Sequence, residues 1–243
     1  MVDIHCHILP EVDDGAASWE VAVEMCHIAA ADGITHIVAT PHANDEYHYD
    51  PDHHARAIRE LMAKTGGTPE IRLGCDFHFS YDNLQDAMAN PTRYTLGGTQ
   101  YLLVELSDYS IPPHFLPALH KMMEIGIRPV ITHPERNPLL RQRPEQVLDW
   151  VDQGILIQLT ANSLTGHWGR TAQKNAAWLL EHHAAHVLAT DAHDTRHRPP
   201  LLSPARQMVR EWLGDQVALE LVELNPAAMI RGEDLPCFNK RRR

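Results

Sequence analysis

Val2-Asp3-Ile4-His5-Cys6-His7 opens the chain with a short β-like run that ends in two histidines. On an extended backbone successive side chains leave opposite faces, so His5 and His7 project to the same side and could grip one ion. Cys6, between them, points the other way into packing. Comparable β-like runs recur at 35–40, 70–74, 101–105, 128–132, 155–159 and 186–190, each leading into a helical or mixed segment without a Gly- or Ser-rich linker. That alternation predicts parallel βα units in a layered or closed sheet. Together with 2–5 the runs make seven strands, which predicts an α/β fold of open or irregular barrel form.

Helices are expected between the strands. Ser18 is a good N-cap, Val21, Ala22, Met25, Ile28 and Ala29 are spaced for one buried face, and Gly33 ends the helix. Further helices are expected near 53–64, 115–124, 144–152, 172–183 and 204–212.

The residues suited to chemistry fall at one kind of place. His5 and His7, His42, Asp76 and His78, Glu105, His133, and Asp191 with His193 all lie at or just past the C-terminal end of an expected strand. In a parallel barrel the strand ends and βα loops converge on that face, so residues distant in sequence meet there. Neutral imidazole and ionised carboxylate are what a divalent cation takes, and this set suffices for two or three ions. A single buried histidine is more often a hydrogen-bonded core residue than a ligand, and the chain has 18. Coincidence does not account for so many placements on strand ends. His53-His54 and His182-His183 fall inside expected helices and read as surface residues; His114, His167 and His197 read as solvated loop residues. Arg136 and Arg198 fall on the ligand-bearing face, and a planar guanidinium can hold two phosphate oxygens at once.

Composition narrows the partners. Lys plus Arg total 21 against 32 Asp plus Glu, a formal charge of -11, which argues against broad attraction to nucleic acid. The basic run Lys240, Arg241, Arg242 and Arg243 reads as a solvated tail. No apolar stretch approaches the roughly 18 residues of a membrane span, and no signal peptide precedes the first strand, so a cytoplasmic protein without membrane insertion is expected. Cys6, Cys26, Cys75 and Cys237 lack CxxC spacing and read as reduced thiols. Cys237 and Arg243 match the Cys-x5-Arg spacing of cysteine-dependent phosphatases, but no glycines form an anion nest between them and no helix follows. The match reads as chance.

These residues resemble the polymerase and histidinol phosphatase (PHP) superfamily, and within it the bacterial manganese-dependent protein-tyrosine phosphatases associated with capsule and exopolysaccharide synthesis. The resemblance is carried by Asp3-Ile4-His5-Cys6-His7-Ile8-Leu9-Pro10, Val12-Asp13-Asp14-Gly15, Thr40-Pro41-His42, Leu103-Val104-Glu105-Leu106, His133-Pro134-Glu135-Arg136, Asp191-Ala192-His193, Arg198-Pro199-Pro200 and Asn225-Pro226. It implies a distorted (β/α)7 barrel, a single domain over residues 1–243. It also implies two or three divalent metals, manganese first with iron or zinc as alternatives. His5, His7, a bridging acid and Asp191 would hold one ion, the bridging acid, Glu105 and His133 a second, and Asp14, His42 and His193 a third. The family's bridge is usually Glu, whereas the aligned residue here is Asp76, with His78 as a local substitute and Asp13 as a substitute for Asp14. The implied reaction is attack of metal-held hydroxide on phosphotyrosine, with Arg136 and Arg198 as catalytic residues gripping the phosphoryl oxygens. The implied partner is a phosphotyrosine protein such as a bacterial tyrosine kinase of polysaccharide export, and a homo-oligomer is compatible. Alternatives are a PHP phosphatase or phosphodiesterase acting on histidinol phosphate or aryl esters, and a binding module that has lost catalysis. A metal-dependent amidohydrolase fits less well, because no lysine stands at a strand end.

Overall fold

The structure, a computed structural model, describes residues 1–236; Cys237 and the basic run Lys240, Arg241, Arg242 and Arg243 lie outside the described residues, and with them the Cys-x5-Arg spacing. Its strands are β1 (Val2–Cys6), β2 (His36–Ala39), β3 (His42–Ala43), β4 (Glu70–Leu73), β5 (Asp76–His78), β6 (Tyr101–Glu105), β7 (Arg128–Thr132), β8 (Leu156–Thr160) and β9 (Val187–Ala189). Every ladder between them is parallel, in the orders β1-β2-β4 and β3-β5-β6-β7-β8-β9.

Two expected strands turn out to be interrupted, and that explains the two sheets. The 35–40 run breaks at Thr40-Pro41 and resumes as β3; Pro41 has no N–H to give a ladder. The 70–74 run breaks at Gly74-Cys75 and resumes as β5, where the chain passes so close to its neighbours that a Cβ on Gly74 would lie 2.8 Å from Val38 Cγ1. The nine described strands thus occupy seven positions. The ends of the series meet: Asp191 N donates to His5 O at 2.8 Å and His7 N donates to Ala192 O at 2.8 Å. The Asp3 carboxylate accepts from Thr190 N at 3.0 Å, tying β1 to the residue after β9.

The helices are α1 (Trp19–Ala31), α2 (Pro51–Lys64), α3 (Tyr81–Ala89), α4 (Phe115–Glu124), α5 (Pro144–Asp152), α6 (Ala161–Leu164), α7 (Gly169–Glu181), α8 (Ser203–Leu213), α9 (Asp215–Leu219) and α10 (Asn225–Arg231). Ser18 caps α1, its side chain accepting from Val21 N at 3.4 Å. The buried face of α1 is Ala22, Met25, Cys26 and Ala29, with Val21 and Ile28 only half-buried. The elements without a sequence signal are α3, which buries only Ala87, the single turn α6, and α9 with α10, which a π-helical segment at 220–224 joins into one helical run. His54 corrects the surface reading of His53-His54. It is 3% exposed and sits edge-on to Tyr49 with ring centroids 5.1 Å apart, on the inner face of α2.

The apolar interior has two layers. A large cluster fills the space between helices and the outward faces of the strands, and Cys6 lies in it. A smaller one includes Val2, Ile4, Val38, Leu103, Val130 and Val187, with Met229 and Ile230 of α10. The register of β1 slips between Asp3 and Cys6. That slip lets Ile4 pack in the smaller cluster while His5 and His7 reach the polar cluster at the opposite strand ends.

Candidate metal centre

The structure brings together every residue marked by the strand-end pattern. His5 Nε2 lies 3.2 Å from His7 Nε2, 3.5 Å from Asp76 Oδ2 and 3.4 Å from Asp191 Oδ1. On the other side of Asp76, His42 Nδ1 is 3.4 Å from the same Oδ2 and 3.7 Å from Glu105 Oε2, and His133 Nε2 is 3.8 Å from Glu105 Oε1. The far nitrogen of His42 turns to a third group: His42 Nε2 and His193 Nε2 are each 3.4 Å from Asp14 Oδ1. Among the described residues three sets of side chains could each hold a cation: His5, His7 and Asp76; His42, Asp76 and Glu105; and His7, Asp14, His42 and His193.

Asp76 supplies the test of fit. It is 1% exposed, yet neither carboxylate oxygen makes a hydrogen bond: it faces His5 and His42 only as ion pairs, and His42 Nδ1 is likewise buried without a hydrogen bond. Burying a carboxylate without hydrogen bonds is costly, and coordination to a cation removes that cost. His78, the local substitute, sits with Nδ1 3.7 Å from Glu105 Oε2, toward the cleft.

Three of the imidazoles are held through Nδ1 by a surrounding shell, which turns Nε2 to the cluster. His7 Nδ1 meets Asp13 Oδ2 at 2.8 Å, His5 Nδ1 meets Gln158 Oε1 at 3.0 Å, and His193 Nδ1 meets the Asp191 carbonyl at 3.0 Å. Such partners occupy Nδ1, so that Nε2 is the nitrogen a metal would meet. Asp13 is thus engaged by His7 and by the His42 N–H at 3.1 Å, while Asp14 faces the imidazoles. Asp13→Ala is expected to weaken metal binding by about 10–100-fold, read by titrating the metal-free variant. Unchanged affinity would remove Asp13 from that shell. His133 and Asp191 take positive φ, 33° and 51°, which bulky side chains rarely adopt and which cluster at functional sites.

Electrostatics divides the histidines into two kinds. Burial pulls His5 down, but Asp76 and Asp191 outweigh it and hold its pKa up to about 9. Burial is likewise overcome at His42, which Asp14, Asp76 and Glu105 raise to about 10. His7 is lowered to about 4 by burial and the neighbouring His193, and burial with Arg136 holds His133 well below the usual histidine range. Metal-free protein near pH 7 therefore carries protons on His5 and His42, where lone pairs are required for a metal. Raised pKa values mean that binding must expel these protons, so affinity rises with pH until about 9–10. Calorimetric titrations in buffers of different ionisation enthalpy should show net proton release at pH 7; none would contradict this charge state.

Above the cluster opens a cleft of about 570 Å³ whose walls include Asp14, His42, Tyr47, Glu105, His133, Arg136 and Trp168. Arg136 Nη1 and Arg198 Nη2 both donate to Asp191 Oδ2, the latter at 2.8 Å. Both guanidinium groups lie over the Trp168 ring, at 4.3 and 5.2 Å from its centroid. Trp168, Gln158 and the shell role of Asp13 escape sequence reasoning. Nothing local marks a loop tryptophan or a strand glutamine as part of a site assembled from distant segments.

Fold and rim together define a parallel α/β barrel with its polar residues gathered at the strand ends, the face that carries chemistry in such folds. The chain belongs to the capsular polysaccharide synthesis family CpsB/CapC, whose model matches residues 1–231. It is 29% identical over 239 residues to the tyrosine-protein phosphatase YwqE of Bacillus subtilis, covering 97% of this chain and 93% of that protein. Among solved structures it matches a chain from the crystal structures of YwqE from Bacillus subtilis and CpsB from Streptococcus pneumoniae, described as metal-dependent tyrosine phosphatases, with a TM-score of 0.90, 29% identity and coverage of 97% of this chain and 96% of that one. A β-aspartyl dipeptidase from Fervidobacterium islandicum shares the fold alone, with a TM-score of 0.56 at 14% identity over 96% of this chain and 74% of that one.

Proposed function

We propose that this chain is a metal-dependent phosphoesterase that hydrolyses phosphotyrosine in proteins. The observation that carries the reading is the Asp76 carboxylate, buried without a hydrogen bond between two imidazoles, on the rim where Arg136 and Arg198 converge. Similarity to tyrosine-protein phosphatases over nearly the whole chain supports it. The ligands proposed for one ion are His5, His7, Asp76 and Asp191; for a second, Asp76, Glu105 and His133; for a third, Asp14, His42 and His193. Manganese is the metal we favour, and iron or zinc would suit the same imidazole and carboxylate donors. Divalent ions held by these residues would supply the acidity that makes water a nucleophile near neutral pH, and would offset phosphate charge.

The chain's own residues supply the rest. Arg136 and Arg198 are anchored through Asp191, leaving their other N–H groups to hold non-bridging phosphoryl oxygens as charge builds. The buried carboxylates and shell hydrogen bonds keep His5, His7 and His193 oriented without reorganisation during turnover. A phenolate leaving group, with a pKa of about 10, departs with little protonation, which favours tyrosine phosphate over alkyl esters. The family's place in capsular polysaccharide synthesis makes a tyrosine kinase of polysaccharide export the partner we favour. Among the described residues no helix is long and apolar enough to cross a membrane.

The test is metal content of purified protein combined with hydrolysis of a phosphotyrosine peptide, histidinol phosphate and a bis-aryl phosphodiester in added manganese. Turnover concentrated on the phosphotyrosine peptide is expected. Preference for either small ester would shift the reading to a small-molecule phosphatase or phosphodiesterase, and bound metal without any turnover would favour a binding module.

A further inference from the structure

β8 is the strand position whose C-terminal end brings no imidazole or carboxylate to the cluster. What its loop brings to the cleft is Trp168. The residue is 38% exposed, so core packing does not account for it. Instead its ring lies against the two guanidinium groups of Arg136 and Arg198. Those groups share a single acceptor atom, Asp191 Oδ2. Two cations on one oxygen repel each other, and long side chains answer repulsion by swinging apart. An electron-rich ring against both offsets the repulsion and limits the swing.

The loop is shaped to present that ring. Gly166 and Gly169 take φ of 85° and 82°, and Gly169 N donates to Gly166 O at 3.0 Å, turning the chain tightly around Trp168. Glu135, the neighbour of Arg136, accepts from Thr160 N at 3.0 Å and from Ser163 Oγ at 2.7 Å. The loop carrying Arg136 is thereby tied to the start of the loop carrying Trp168.

We infer that Trp168 is a positioning residue, holding Arg136 and Arg198 side by side so that both face one phosphoryl group; this rests on the phosphoesterase reading. The test uses metal-loaded protein and inorganic phosphate, with Trp168→Leu to keep apolar bulk without an aromatic face and Trp168→Phe to keep the face. Calorimetric titration should show phosphate binding weakened about tenfold in Trp168→Leu and largely recovered in Trp168→Phe, with metal content and melting temperature near wild type. For aryl phosphate turnover, kcat/KM should fall in the same order. Equal phosphate affinity in Trp168→Leu and wild type would overturn the assignment, as would equal losses in both variants or loss of bound metal. A wild-type protein that binds phosphate but leaves phosphotyrosine intact would sink the proposed function alone, since the binding comparison still decides the role of Trp168.

Discussion

Asp76→Asn is expected to lower phosphotyrosine turnover on the order of a thousandfold and to reduce the metal bound per chain. The substitution keeps the shape of the side chain and removes its charge, so packing changes little. In the native protein both oxygens are buried without a hydrogen bond and one of them lies 3.5 Å from His5 Nε2 and 3.4 Å from His42 Nδ1. An amide in that place offers one acceptor and an NH2 group that cannot coordinate. The neighbouring charges respond as well, because Asp76 is among the groups that raise His5 and His42. Emission spectrometry of the purified variant, alongside steady-state kinetics, would decide it. Full metal content with turnover within tenfold of wild type would show that Asp76 does not bridge.

Gly15→Ala should be almost as damaging, although Gly15 touches no proposed ion. A Cβ there would stand 2.1 Å from the His7 carbonyl oxygen and 2.6 Å from His7 Cβ, contacts that no side-chain rotation relieves. The turn is bound to β1 by Ala16 N donating to His7 O at 3.1 Å, and Gly15 N donates to Asp13 Oδ1 at 3.0 Å. Either His7 moves, or the turn moves and carries Asp13 and Asp14 with it. Both routes misplace groups of the cluster, and a displacement of about 1 Å can cost about a hundredfold in rate. The strain should also lower stability by about 1–3 kcal/mol. Turnover within twofold of wild type, measured with saturating manganese, would refute this account.

Legibility in the sequence follows the range of the interaction. The strand-end positions of His5, His7, His42, Glu105, His133, Asp191 and His193 are readable because an apolar run and its polar end are adjacent in the chain. Helices α4 and α5 emerge at their expected bounds, each with an apolar stripe over several turns. The break at Gly74-Cys75 is not readable, since it depends on how closely the chain there passes Val38 of β2. The burial of His54 depends on Tyr49, five residues away and outside its helix. Gln158 meets His5 across 153 residues of chain, and Trp168 acquires its place only when two other loops bring their arginines to it. Ligand identity is thus visible where the chemistry is carried by one strand, and the supporting shell is hidden where it is assembled from several.

The junction of β1 with the residues after β9 also sets the order of events when the chain is made. Asp3 pairs with Thr190 across 187 residues, so the first strand emerges from the ribosome long before its last neighbour exists. A nascent chain that ends before residue 191 carries His5, His7, Asp14, His42, Asp76, Glu105 and His133 but lacks Asp191, His193 and the hydrogen bonds that seat β1. Contacts of such long separation form slowly, because the intervening chain must be ordered before they repay its entropy. Metal capture should accordingly be a late step, and a prematurely terminated chain should leave synthesis without an assembled centre.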